Sequence, residues 1–265
     1  SFLCLVPAVW LILDAAADPR SFRRRFAQGF WFGLFSHGLV LYWMVVALWH
    51  FTPLSALGYA ATISIFALWT GLLFGVVGWV TSRTSVSVAL VFPAAWTALE
   101  WITGHQGDIR FPWLGLGTAL TGYPMVVQIA DVVGARGVTL LLAAANAALA
   151  VAWLRRADRQ LAVRAVAGVA VGLGLAVGYG AMRMSTLSLR PVGRVAAIQP
   201  SIGFGDKYDR ALYDRIVDSL MNLSERAMAE RPVLIAWPEA AVPYFFEVFP
   251  QWSDRIGALS RGRGT

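Results

Sequence analysis

Long apolar runs are the feature of this sequence that most constrains its fold. An α-helix needs about 17–25 apolar residues to cross the roughly 30 Å hydrocarbon core of a bilayer. Runs of this kind lie at residues 27–50, 56–80, 86–103, 138–154 and 165–182, with a sixth, partial run at 2–17. Only 14% of the residues are charged and 58% are apolar, which is not typical of a water-soluble domain. The sequence therefore predicts a polytopic α-helical membrane bundle over residues 1–182.

The arginines predict how this bundle is oriented. Nine of them fall in alternate loops, which are residues 18–26, 81–85 and 155–164. The opposite loops, 51–55 and 104–137, hold only two. Cytoplasmic loops carry an excess of Lys and Arg, so the first set is predicted to be cytoplasmic. The last run then ends on the far side of the membrane, and residues 183–265 are predicted to be extracytoplasmic.

Several classes of partner and cofactor are disfavoured by the same composition. The net charge is +7, but the arginines stand in short clusters between apolar runs and no nucleic-acid motif accompanies them, so nucleic acid is not expected as a partner. A single cysteine, Cys4, rules out an intrachain disulfide and a multi-cysteine zinc site. His37, His50 and His105 lack metal-ligand spacing. We predict no metal site and no cofactor.

Two features of the membrane half are candidates for substrate contact. Residues 104–137 are too apolar for a solvated loop, and they either dip aromatic residues such as Trp113 into the interface or form a re-entrant segment beside a lipid-accessible cavity. Glu100 is the one acid well inside an apolar run. An intramembrane carboxylate is a functional-site hypothesis by default. Because Glu100 lies near the outer end of its run, a structural partner is an equally good interpretation.

The last third of the chain has the pattern of an α/β domain. Residues 195–198 and 233–237 are short apolar runs that predict buried strands, and apolar residues recur at helical spacing between 209 and 230. Asp209 is placed to cap that helix. Strand, helix and strand in this order predict the start of a parallel sheet.

Glu239 follows the second predicted strand directly, behind Pro238. Chemistry in open α/β sheets gathers at the carboxyl edge of the strands. A carboxylate flanked there by Trp237 and Ala240 is expected to be partly desolvated, with a raised pKa that suits a general base. A solvated loop glutamate is the alternative on spacing alone.

The motif around this residue resembles that of a known family. Residues 237–243, Trp-Pro-Glu-Ala-Ala-Val-Pro, are similar to a signature of apolipoprotein N-acyltransferases, bacterial membrane enzymes with an extracytoplasmic nitrilase-like domain. Further agreement lies at Gly38–Trp43, Trp96–Trp101, Phe111–Leu114, Gln128–Gly137, Ile198–Pro200 and Lys207–Asp209. The resemblance covers nearly the whole chain, in the same order and with the same predicted topology. It implies that residues 183–265 begin an α-β-β-α sandwich of the nitrilase type.

The resemblance also implies a reaction and a Glu-Lys-Cys triad. The cysteine is acylated by a phospholipid and passes the acyl chain to the N-terminal S-diacylglyceryl cysteine of an apolipoprotein, at the outer face of the bacterial inner membrane. Glu239 matches the family's glutamate, whereas Lys207 matches a rim lysine and Cys4 lies in a membrane run, so neither completes the triad. Tyr208 stands where the family usually has Trp, and its role in substrate contact is an expectation.

The chain is expected to be the N-terminal part of a longer acyltransferase and to be inactive alone, because the family's Lys and Cys are not among its residues.

Two other classes of function remain open at this point. A non-catalytic membrane scaffold, such as a degenerate homologue that assists another envelope enzyme, is the first rival. A tethered amidase for soluble substrates is the second, and it would not need the apolar segment 104–137.

Overall fold

A computed structural model describes residues 3–14, 21–242 and 247–261 of the chain. The described residues are mostly α-helical, and their contacts divide the chain into two compact units, Ser1–Leu187 and Ser188–Thr265. Each unit has hydrophobic core residues of its own. Two sequence features lie partly outside the described residues. They are the arginine cluster of residues 20–25, at Arg20, and the Trp-Pro-Glu motif, at Pro243.

The first unit is built from helices. They are α1 (Val6–Asp14), α2 (Ser21–Leu41), α3 (Trp43–Leu48), α4 (Ser55–Arg83), α5 (Val88–His105), α6 (Pro124–Val127), α7 (Ala130–Leu154) and α8 (Arg159–Thr186). Among the described residues, α4, α7 and α8 are long and apolar enough to cross a membrane, judged by length and composition. They coincide with the predicted spans at 56–80, 138–154 and 165–182, which supports a helical membrane part.

The predicted spans at 27–50 and 86–103 are also helical. Their helices are not among those that are long and apolar enough to cross a membrane. The first run begins within the arginine-bearing helix α2 and is interrupted at Tyr42, where α3 takes over. Helix α5 contains Pro93 and Glu100, which lower its mean hydropathy. Membrane crossing by these two segments therefore stays a prediction.

Helices α2 and α4 pack through glycines. A Cβ built on Gly29 would come within 2.7 Å of the Thr70 carbonyl oxygen, and one on Gly78 would come within 2.0 Å of Cδ of Arg25. Early residues of α2 thus face late residues of α4, so the helices are antiparallel. Small residues at such contacts let two helix backbones approach closely.

The second unit contains the predicted strand, helix and strand. Strand β1 (Val195–Ala197) pairs in parallel with β2 (Leu234–Ala236), with Val195 opposite Leu234. The connection contains α9 (Phe204–Lys207) and α10 (Tyr213–Met228), and α11 (Pro250–Arg261) follows the sheet. The Asp209 carboxylate accepts a hydrogen bond from the Ala211 N–H, so it caps the short 3₁₀ turn that leads into α10. This two-stranded parallel sheet agrees with an α/β start, and the nitrilase-like sandwich stays a prediction.

The prediction that both strands are buried is wrong for the described residues. Val195 is 59% exposed and Leu234 is 55% exposed, whereas Ile198, just after β1, is 7% exposed. Side chains alternate between the two faces of a strand. Helix α10 covers one face through Ile216 and Leu220. The alternate residues lie on the other face, which no described element covers.

Candidate functional site

Glu100 of α5 is the centre of a buried polar cluster. It is 8% exposed, and its carboxylate accepts four hydrogen bonds. The donors are Trp96 Nε1 (3.1 Å) and Leu116 N (2.8 Å) to Oε1, and Arg136 Nη1 (2.9 Å) and Thr139 Oγ1 (2.9 Å) to Oε2. A carboxylate has about four lone-pair sites. The structure therefore favours the structural interpretation of Glu100, because its acceptor capacity is already used within the protein.

The cluster fastens the apolar connection between α5 and α7. The N–H of Gly117 donates to Thr139 Oγ1 at 3.2 Å, next to the bond between Leu116 and Glu100. Farther along, the Met125 carbonyl lies against Gly180 of α8, where an added Cβ would approach that oxygen to 1.7 Å. The connection is therefore held against α5, α7 and α8. It consists of short 3₁₀ turns and the four-residue α6 and is not an extended loop.

A second polar link joins α7 to α8 near the end of this segment. The Asp131 carboxylate accepts from Tyr179 Oη at 2.6 Å and from Arg183 Nε at 2.8 Å. Between Asp131 and Arg136 the helix is kinked at Gly134, which has φ 67° and ψ 173°. This region of φ/ψ space is accessible to glycine but strained for other residues. Asp131 and Arg136 lie on opposite sides of this kink and bond to different partners, Asp131 to α8 and Arg136 to Glu100 of α5.

A cavity lies beside the Glu100 cluster. Its walls include His37, Phe66, Trp96, Phe111, Pro112 and Arg136. The Phe111 ring lies edge-on to Phe66, with 5.5 Å between centroids, and edge-on to Trp113 at 4.8 Å. Trp113 itself is 69% exposed. The structure thus brings Glu100 and the segment bearing Trp113 to one cavity, with Trp113 on the outer side of that segment.

In the second unit, the Trp-Pro-Glu turn follows β2 directly. The indole N–H of Trp237 donates to Ser224 Oγ at 2.9 Å, and Ser224 is fully buried on α10. The ring of Trp237 also packs against the hydrophobic residues around Ile216 and Val217. From the end of α9, Lys207 Nζ donates to the Glu239 carbonyl oxygen at 3.2 Å. Two side chains from other elements therefore fix the turn that presents Glu239.

The side chain of Glu239 is exposed, and the predicted partial desolvation is not found among the described residues. Glu239 lies three residues past the end of β2. The next residue, Ala240, has φ 48°, a left-handed conformation that is uncommon for residues other than glycine. Tyr208, adjacent to Lys207, is 48% exposed. Glu239 thus lies just past the carboxyl end of β2, with Lys207 bonded to its carbonyl oxygen and Tyr208 next to Lys207 in the chain.

Sequence reasoning missed the partners that hold these sites. Arg136 is only a loop charge in the sequence, and its ion pair with Glu100, 36 residues away, has no local signal. No sequence pattern indicates the hydrogen bond from Thr139 to Glu100. Ser224 was detectable, because it falls on the apolar face of α10 and a buried indole N–H needs an acceptor.

The comparisons with known proteins agree with this architecture. The family model described as "Apolipoprotein N-acyltransferase N-terminal domain" matches residues 1–148. The chain is 29% identical to an apolipoprotein N-acyltransferase of Geobacter metallireducens over 96% of this chain and 51% of the relative. It is 32% identical to one of Brucella melitensis over 99% and 51%, and 31% identical to one of Bordetella bronchiseptica over 92% and 48%. The chain spans about half the length of these relatives.

The apolar helices α4, α7 and α8 are those of a helical membrane protein. The α/β unit of β1, α10 and β2 follows α8 in the chain. The match over residues 1–148 is more than half of the 265 residues, and similar relatives extend it to most of the sequence. The chain belongs to the apolipoprotein N-acyltransferase family.

Proposed function

We propose that this chain is the lipid-binding membrane part and the first portion of the reaction domain of an N-acyltransferase. The enzyme moves an acyl chain from a phospholipid to the N-terminal S-diacylglyceryl cysteine of apolipoproteins, on the outer side of the bacterial inner membrane. Family membership and the printed names of the relatives support this reaction class. The arginine-rich loops support the orientation, because they favour the cytoplasmic side.

One observation carries the proposal: Glu239 stands at the carboxyl edge of the β1–β2 sheet, on a turn fixed by Trp237 and Lys207. A held turn limits the positions available to the carboxylate, and such preorganisation favours proton transfer in a fixed geometry. Exposure of the side chain leaves it open to an incoming nucleophile. Glu239 is therefore the general base of the proposed reaction.

The reaction proceeds in two acyl transfers. Glu239 takes the proton of a cysteine thiol, the sulfur attacks an ester carbonyl of the phospholipid, and a C–S bond forms as the C–O bond breaks. The released lysophospholipid alkoxide takes up the proton. The free amine of the apolipoprotein then attacks the thioester, Glu239 accepts its proton, and the thiol is regenerated as the amide forms.

The nucleophilic thiol of this scheme is not supplied by the second unit, which contains no cysteine; Cys4 belongs to the first. Lys207 is the only lysine in the sequence, and by the family resemblance it matches a rim lysine and not the lysine of the triad. The 265-residue chain alone is therefore inactive in acyl transfer. A triad of Glu239 with a Lys and a Cys from outside these residues completes the site.

The membrane unit contributes lipid access in this proposal. Trp113 of this unit is an exposed aromatic residue suited to contact with lipid, and Tyr208 of the second unit is an exposed aromatic residue suited to contact with the lipopeptide. Glu100 acts indirectly, since it holds the segment that carries Trp113 and has no free acceptor site for a substrate.

The test uses the intact gene product that contains this chain, labelled phosphatidylethanolamine and a diacylated lipopeptide, with triacylated product measured by mass spectrometry. Glu239→Gln keeps the shape but cannot accept the thiol proton, so we expect a loss of about 10²–10⁴-fold. Glu230→Gln is the matched control, because Glu230 only forms an exposed ion pair with Arg194. Near-normal acylation by Glu239→Gln would remove Glu239 from the mechanism. Absence of any acyl transfer by the unsubstituted gene product would favour the non-catalytic scaffold.

A further inference from the structure

The cavity beside the Glu100 cluster contains two polar side chains that the proposed reaction does not use. They are the imidazole of His37 on α2 and the guanidinium of Arg136 on α7. The Glu100 carboxylate lines the same cavity, but its acceptor sites are taken by four donors. The hydroxyls of Thr70 and Thr103 also line it and donate to carbonyls of their own helices. The remaining hydrogen-bonding capacity of the cavity is therefore concentrated in His37 and Arg136.

The contacts of His37 make its second ring nitrogen an acceptor. Nδ1 lies 2.7 Å from the Gly33 carbonyl oxygen, and because a carbonyl oxygen only accepts, Nδ1 carries the proton. The ring also stacks on Phe66, with 4.9 Å between centroids and 21° between planes. In the neutral ring Nε2 is then an acceptor, and it has no hydrogen-bond partner among the described residues. A ligand that donates an N–H or O–H would satisfy it.

Arg136 supplies donors to the same cavity. Its Nη1 donates to Glu100 Oε2 at 2.9 Å. Its other N–H groups have no hydrogen-bond partner among residues 3–14, 21–242 and 247–261, and the side chain is 35% exposed. A guanidinium matches the oxygens of a phosphate in a fixed fork geometry. Arg136 can therefore bond to Glu100 and to a phosphate at the same time.

The depth of the cavity suits a lipid headgroup. Glu100 lies three residues inside the end of the predicted span 86–103, and Arg136 lies two residues before the predicted span 138–154. At about 1.5 Å per residue, both are within about 5 Å of a span end. The headgroup layer on each side of the hydrocarbon core is about 5–7 Å thick. The phosphate of a phospholipid beside these helices therefore lies at the level of Arg136.

The interior of the cavity decides which headgroups enter. It has room for about two groups of the size of a water molecule. The ammonium of ethanolamine or one hydroxyl of glycerol is of this size, whereas the trimethylammonium of choline is larger and has no N–H to donate. The rings of Phe66, Trp96 and Phe111 would attract any cation, choline included. The small interior and the acceptor nitrogen of His37 therefore provide the selection.

From these contacts we propose that the cavity binds the headgroup of a phospholipid whose terminal group is a hydrogen-bond donor. The phosphate lies on Arg136, the terminal N–H or O–H donates to His37 Nε2, and a choline headgroup is excluded. The site belongs to the first unit and does not involve Glu239. It is therefore independent of whether the chain takes part in acyl transfer.

Native mass spectrometry of the purified 265-residue chain measures this selection. Phosphatidylethanolamine, phosphatidylglycerol and phosphatidylcholine with identical acyl chains are offered in equal amounts. We expect the first two to be retained about 2- to 10-fold better than phosphatidylcholine, because that factor corresponds to one hydrogen bond. Diacylglycerol, which keeps a hydroxyl but lacks the phosphate, should be retained less than phosphatidylglycerol. Free phosphoethanolamine at equal concentration should not displace the lipids, because it has no acyl chains.

Two histidines offer a matched pair of variants. His37→Phe keeps a flat ring beside Phe66 but removes the acceptor nitrogen, so phosphatidylethanolamine should lose its advantage over phosphatidylcholine. His105 has the same local contacts outside the cavity, since its Nδ1 lies 2.7 Å from the Trp101 carbonyl oxygen and its ring stacks on Trp101 at 4.8 Å. His105→Phe should therefore leave the preference unchanged. His37→Gln retains an acceptor oxygen and should keep most of the preference.

Four results would overturn the proposal. Equal retention of phosphatidylcholine and phosphatidylethanolamine by the unsubstituted chain would exclude the need for a donor, and this comparison requires no variant. An unchanged preference in His37→Phe, or an equal loss in His105→Phe, would remove His37 from the site. Retention of diacylglycerol equal to that of phosphatidylglycerol would exclude a phosphate on Arg136. Displacement by free phosphoethanolamine would assign the cavity to a soluble phosphate ester and not to a lipid.

Discussion

Glu100→Gln should loosen the segment between α5 and α7 more than any other single charge removal in the described first unit. The native carboxylate accepts bonds from Leu116 and Trp96 on one oxygen and from Arg136 and Thr139 on the other. Glutamine retains one acceptor oxygen, so one pair of donors keeps its partner. Its NH₂ group meets the other pair as a third donor, and the Arg136 guanidinium loses its counter-charge.

The structure sets the size of this effect. Removing one partner of a buried ion pair costs about 3–5 kcal/mol, but Arg136 is 35% exposed and water recovers part of its solvation, so we expect about 2–4 kcal/mol. At about 2–4 °C per kcal/mol for a domain of this size, Tm should fall by roughly 4–16 °C. The exposed Glu230–Arg194 pair provides the control, because Glu230→Gln should cost about 0–1 kcal/mol.

Thermal unfolding in a mild detergent measures the stability, and hydrogen exchange reports the local effect. The amides of Leu116 and Gly117 should lose protection in Glu100→Gln, because both depend on the cluster. Amide protection in α4 should remain, because α4 contributes no hydrogen bond to the carboxylate. A Tm within about 1 °C of the Glu230→Gln control, together with unchanged exchange at Leu116, would refute the view that Glu100 holds this segment.

Two further substitutions test the packing of each unit. Ser224→Ala removes the acceptor of the buried Trp237 indole N–H and should cost about 1–3 kcal/mol, measured by denaturant unfolding followed by tryptophan fluorescence; an unchanged midpoint would contradict the anchoring of the Trp-Pro-Glu turn. Gly180→Ala forces a Cβ onto the Met125 carbonyl and should cost about 1–3 kcal/mol, whereas Gly178→Ala on the same helix meets open space and should be neutral or slightly stabilising. Equal Tm values for these two variants would contradict the close approach of α6 and α8.

Much of the fold follows from residue periodicity. Apolar length alone located α4, α7 and α8, and the change to short apolar runs around an amphipathic helix located β1, α10 and β2. The positions of these helices and strands are determined by the residues within each segment. The break at Tyr42 did not follow from apolarity, since the residues on both sides of it are equally apolar.

The details of the candidate sites depended on residues distant in sequence. Glu100 is satisfied by Arg136 and Thr139, which lie 36 and 39 residues away, and no local pattern announces such a pairing. The apolar runs overestimate the burial of the strands. An apolar residue favours burial, but whether it is buried depends on which other elements cover that face of the sheet. The same reason applies to Glu239, whose apolar neighbours in sequence do not enclose its side chain.

The proposed function requires that the arginine-rich loops and the second unit lie on opposite sides of the membrane. Single cysteines at Gln160 and Asn222 test it in a Cys4→Ser background, because both native residues are exposed. Intact spheroplasts are treated with a membrane-impermeant thiol reagent. We predict that Asn222→Cys is labelled and that Gln160→Cys is labelled only after lysis. Labelling of Gln160→Cys but not of Asn222→Cys in intact spheroplasts would contradict this topology.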